Sequence, residues 1–135
     1  MLYAMNNFNK TDSIIAKKAY AFALTIVTLY KQLIQEKKEY VLSKQLLRSG
    51  TSIGANVNEA ICAQSKRDFV HKLSIALKET RETEYWLNLL KDSNYVRAED
   101  FTKSIGDCAE IYKILSSIIL TTKQKYFSAK TTLNS

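Results

Sequence analysis

No proline occurs in this chain, and glycine stands at three positions only, Gly50, Gly54 and Gly106. Folds built from short strands need such residues at their turns, and proline stops a helix. A chain this poor in both is therefore constrained to long helices with few connections. Its 135 residues suit one domain over 1–135, large enough to bury a core.

Apolar spacing supplies the helices. From about residue 11 to 36, Ile14, Ile15, Tyr20, Leu24, Val27, Tyr30, Leu33 and Ile34 recur at helical intervals, with Thr11, Asp12 or Ser13 as a cap. Phe22, Ile26 and Leu29 widen this surface past a single stripe, and a helix apolar on more than one face needs more than one neighbour. A second helix over about 40–63 carries Leu42, Leu46, Gly50, Ile53, Val57 and Ile61. A third, over about 66–92, starts at the capping pair Ser65 and Asp68 and closes at Ser93 and Asn94. Its stripe is Phe69, Leu73, Ala76, Thr80, Thr83, Leu87 and Leu90, with Val70, Leu77, Tyr85, Trp86 and Leu89 widening the face. A fourth, over about 98–122, repeats the pattern with Phe101, Ile105, Cys108, Tyr112, Leu115 and Ile119, and the polar tail beyond it is expected to fray. Four such helices on short loops alternate in direction, which predicts an all-α fold, an up-down-up-down antiparallel four-helix bundle.

The second helix contains an anomaly. Ser49 to Ala60 is a run of small residues whose two glycines each cost about 1 kcal/mol of helix propensity, so packing from outside must hold it helical. Gly50 and Gly54 share a face with no side chain to hold a neighbour off, and Ser49, Ser52 and Ala55 enlarge it. Close approach of another helix, or of a neighbouring subunit, follows. Asn56 and Glu59 lie on an adjoining polar stripe, either solvated or in a network that fixes register, with Arg48, Lys66 or Arg81 as partners for Glu59. The lack of a Gly-Lys-Ser/Thr ending and of a preceding strand argues against a phosphate-cradling loop.

No catalytic constellation is legible. The acidic group Glu79, Glu82 and Glu84 is divided between helix faces, and ion pairs such as Lys78 with Glu82 account for it. His71 is the only histidine, and no ligand cluster for a metal or cofactor surrounds it or the two cysteines. Cys62 and Cys108 read as reduced, buried, small hydrophobes. No apolar run reaches the roughly 20 residues of a membrane span, and the first ten residues lack signal-peptide character, so a cytoplasmic protein is expected.

What remains is charge. Twenty basic residues against 13 acidic give a formal charge of +7, and the first half carries most of the excess. Lys17, Lys18, Lys37, Lys38, Lys44, Arg48, Lys66, Arg67 and Lys72 are the candidate contacts to a polyanion, RNA or DNA, with Tyr3 and Tyr40 as the exposed aromatics for stacking. On an isolated protomer the same lysines also serve as ordinary solubilising charge. In a ring of copies the patches repeat and their field strengthens.

The run Gln45-Leu46-Leu47-Arg48-Ser49, then Ser52 through Ala60, then Phe69 and Ala76 through Glu84, resembles the 23S rRNA-intervening-sequence protein family. The likeness spans most of the chain, from the first helix to Ile119, and is specific only in combination. Gly54 replaces a proline common in members, and Asn58-Glu59-Ala60 replaces a common alanine-glutamate-glycine ending. The resemblance implies a four-helix bundle whose protomers form a homo-oligomeric ring, commonly a pentamer, with a basic surface. Members include the accessory variability determinant of diversity-generating retroelements, which binds a reverse transcriptase and nucleic acid. Two functions are expected: a non-enzymatic oligomeric adaptor binding RNA or DNA without reading sequence, or a scaffold for one protein partner.

Overall fold

A computed structural model describes residues 10–127. Its helices are α1 (Lys10–Gln35), α2 (Leu42–Ile61), α3 (Lys66–Asp92) and α4 (Ala98–Tyr126). Each packs on its chain neighbour, and α4 returns to α1, so the four enclose one core. Contact pairs fix the relative directions. Between α1 and α2, Gly50 lies against Ile26 while Gly54 lies against Ala19. From α2 to α3, Ser49 meets Thr83 while Glu59 meets Lys72. Three cations of α3 sit over three rings of α4 in descending order: Lys66 on Tyr126, Arg81 on Tyr112 and Lys91 on Phe101. Consecutive helices are therefore antiparallel.

The buried stripe of α3 is nearly the expected one, with Val70 in place of the half-buried Phe69. On α4 it is rotated. Ser104, Cys108, Ile111, Leu115, Ile118, Ile119 and Thr122 face inward, Phe101 and Ile105 flank the core, Tyr112 is half-buried, and Phe101 and Tyr112 carry cations of α3. The largest departure is on α1. Ile15, Ala19, Phe22, Ile26, Leu29 and Leu33 form its inner face, whereas Tyr20 and Leu24 are 65% and 54% exposed. Both stripes have helical period, and only the position of the neighbouring helices chooses between them.

Helix ends follow local chemistry. Ser65 Oγ accepts from the Asp68 amide at the start of α3. At its end Asn94 adopts φ 67°, the Tyr95 amide donates to Leu90 O and the Asn94 amide to Lys91 O, a left-handed closure that asparagine tolerates. α2 begins at Leu42 rather than Tyr40, because Glu39 is spent on its cap. The Glu39 carboxylate accepts from the amides of Val41 (3.2 Å), Leu42 (3.0 Å) and Ser43 (2.7 Å). α4 runs to Tyr126 instead of Thr122. Asp12 is buried within the first turn of α1 rather than preceding it. Tyr3, the side chains of Thr11 and Ser13, and the tail beyond Phe127 lie outside the described residues.

Candidate nucleic-acid interface

The small-residue segment proves to be two contacts. A Cβ placed on Gly50 would lie 2.9 Å from both Cγ1 and Cγ2 of Ile26 and 3.2 Å from its Cβ, so any side chain here would force Ile26 or the helix pair to shift. At Gly54 the nearest atoms, the Ala19 carbonyl and Cβ, would be 3.5–3.7 Å away, an ordinary contact. The serine side of the same helix faces α3, where Thr83 Oγ1 donates to Ser49 Oγ (2.9 Å) in the core. The face thus serves packing within the bundle.

Asn56 and Ser52 form bonds along their own helix, Asn56 Nδ2 to Ser52 O (2.8 Å) and Ser52 Oγ to Arg48 O (2.6 Å). Glu59 pairs with Lys72 at 3.6 Å, not with Arg48, Lys66 or Arg81. Arg48 instead joins the acids of α3: its guanidinium is bonded to Glu82 and lies 3.5 Å from Glu79, and Glu82 also accepts from Trp86 Nε1. Burial pushes the Glu79 carboxyl above its ordinary range, partly offset by Arg48. The Arg48 hydrogen bond holds Glu82 below its own. The polar network between helices therefore runs through Arg48, Ser49, Glu79, Glu82 and Thr83. Glu84 pairs with Arg81.

With Arg48 engaged in this way, the expected cation set divides. Lys18 pairs with Glu110 of α4, and Lys72 with Glu59. Lys17 is exposed on the outer side of α1. Lys37, Lys38 and Lys44 are exposed at one end of the bundle, where Glu36 and Asp100 line the same groove as Lys37. Lys66 and Arg67 lie at the opposite end, on the first turn of α3, close to the last turn of α4. No single patch joins all nine.

Sequence reading missed the contribution of α4. Lys66 Nζ is 5.0 Å from the Tyr126 ring centroid and 5.6 Å from that of Phe69, and Lys125 Nζ is 5.3 Å from Tyr126. Tyr126 and Phe127 remain 46% and 38% exposed. The signal was present as Lys-Gln-Lys-Tyr-Phe, a basic and aromatic run, but it lay past the expected end of the helix.

Among the described residues no group of three histidine, cysteine, aspartate or glutamate side chains converges as a metal site. No described helix is long and apolar enough to cross a membrane. Of the cysteines, Cys108 is buried and its thiol is pushed up to about 12 by burial, but Cys62 is exposed. The α2 stripe ends at Ile61, leaving Cys62 as the cap residue outside it.

The family model described as 23S rRNA-intervening sequence protein matches residues 11–117. The chain is also similar to a protein of unknown function from the S23 ribosomal protein family of Bacteroides thetaiotaomicron VPI-5482. The two are 54% identical over 81% of this chain and 97% of that one, with a TM-score of 0.80 to the crystal structure at 1.70 Å resolution. No curated protein matches the chain.

Proposed function

From the premise that this chain belongs to the 23S rRNA-intervening sequence protein family, we propose that it is a non-enzymatic adaptor that binds RNA or DNA through phosphate contacts. It acts in the cytoplasm as a homo-oligomeric ring, pentameric as the resemblance suggests. The supporting observation is the distribution of charge pairing. Eight of the 13 carboxylates pair with Lys18, Arg48, Lys72, Arg81, Lys91, Arg97 and Lys103 along the helices. The excess of +7 therefore comes from cations outside these pairs, which outnumber the remaining acids; Lys66, Arg67 and Lys125 are among them. Unneutralised cations on rigid helices attract phosphate backbones without distinguishing bases.

The test is retention of labelled RNA and DNA by the purified protein across a salt series. Affinity is expected to fall roughly a hundredfold between about 50 and 200 mM salt if some four phosphates are neutralised. Failure to retain either polymer at the lowest salt overturns the proposal. The exposed Tyr85 and Leu120 favour a second reading, a scaffold for one protein partner such as a reverse transcriptase, with the lysines only solubilising. A single partner that copurifies after nuclease treatment, with no nucleic acid bound by the protein, is the result that favours it.

A further inference from the structure

Three cation and ring pairs tie α3 to α4, and two of them are electrostatically closed. Arg81 over Tyr112 is also bonded to Glu84, and Lys91 over Phe101 also pairs with Asp92. The third is open. Lys66 rests on Tyr126, a second ammonium, Lys125, converges on the same ring, and Arg67 follows on the exposed side of the turn. Among the described residues no carboxylate lies within ion-pair distance of Lys66, Arg67 or Lys125. Two like charges drawn to one ring repel each other, and a cation in the first turn of a helix also meets the positive end of that helix's dipole. An anion placed between them relieves both terms.

The geometry points to this end of the bundle as a seat for single-stranded nucleic acid, a deepening that rests on the adaptor reading above. Lys66, Arg67 and Lys125 hold a backbone phosphate, and the exposed rings of Tyr126 and Phe127 take an unpaired base. A duplex hides its base faces within the stack, so these rings offer it nothing, whereas every single-stranded base presents a face to stack on. The opposite end has exposed lysines and the exposed Tyr40, but among the described residues none of Lys37, Lys38 and Lys44 lies over a ring, and Glu36 shares the groove of Lys37.

Fluorescence anisotropy of the full chain with labelled oligouridine, oligothymidine and a duplex of equal length tests the site. Single strands of either sugar are expected to bind more tightly than the duplex. Lys66→Glu with Arg67→Glu, and separately Lys125→Glu, are expected to weaken single-strand binding by about tenfold or more and to reduce the preference for single strand over duplex, while Lys37→Glu with Lys38→Glu weakens single strand and duplex alike and leaves that preference unchanged. Tyr126→Leu keeps bulk, removes the ring and is expected to cost about tenfold for single strands while leaving duplex binding as it was. Its circular dichroism melting curve reports whether the helix end is intact. Equal affinity for duplex and single strand, or a loss confined to the Lys37 and Lys38 variant, overturns the site and leaves the adaptor standing. Absence of binding to all three probes overturns both.

Discussion

At the scale of single residues, the two glycines of α2 separate clearly. Gly54→Ala adds a methyl at ordinary contact distance and removes a helix penalty of about 1 kcal/mol, so the variant is expected to melt at or above the parent temperature. Gly50→Ala gains the same propensity but drives a methyl into the branched carbon of Ile26, an overpacking that costs about 1–3 kcal/mol. Its melting temperature is expected to fall, and combining it with Ile26→Ala should cost less than the two changes separately. Equal melting temperatures for the two alanine variants would contradict this account. That this helix needs a close neighbour was legible from its glycines. Which glycine bears the contact was not, because both have the same spacing and only the placement of Ile26 distinguishes them.

At the scale of elements, α2 has weak propensity in its middle and its first turn is secured by a residue outside it. Burial pushes the Glu39 carboxyl up, but amide donation from Leu42, Ser43 and Val41 outweighs it and holds the carboxyl below its ordinary range. A depressed carboxylate contributes stability above its unfolded titration, and that contribution disappears as pH falls through the folded one. Glu39→Gln is therefore expected to lose about 1–2 kcal/mol near neutral pH. The deficit should start to shrink as pH falls through the ordinary glutamate range, about 4.3, and vanish only below the lower folded titration, where the parent carboxylate itself takes up a proton. Urea unfolding of both proteins across pH checks this, and a deficit independent of pH would refute it. The same element shows how ion pairs escape a sequence reading. Helical spacing suggested Lys78 for Glu82, yet Arg48 from α2 reaches it across the interface, and Glu59 finds Lys72 in the same way. Pairs within one helix follow from spacing alone, whereas pairs between helices depend on rotation and register.

For the whole molecule, the outer side of α1 is an unspent apolar surface. Tyr20 and Leu24 point away from the core, and Val27 and Ile34 continue the stripe half-buried. In the proposed ring such an apolar strip belongs against another copy. Tyr20→Lys with Leu24→Lys is expected to move the solution mass toward the 15.4 kDa protomer while leaving the helical signal intact, because neither side chain is in the core. Light scattering decides it, and an unchanged oligomer in the doubly substituted protein would remove α1 from the contact. At this scale the charge distribution is also a tertiary property. Lys66 and Lys125 are far apart in sequence and share Tyr126 only because α3 and α4 run antiparallel.

By itself the sequence determined the helical class, the number of helices, the α3 stripe and the caps at Ser65 and Asn94. These follow from propensity and from residues a few positions apart, which any helix brings together. Tertiary structure decided which of two apolar stripes on α1 turns inward, which glycine is packed shut, which acid each arginine meets and which cations stay unpaired. Each of these depends on the rotation of one helix about its axis relative to another. That rotation is set by the packing of the whole core, to which no local stretch of sequence has access.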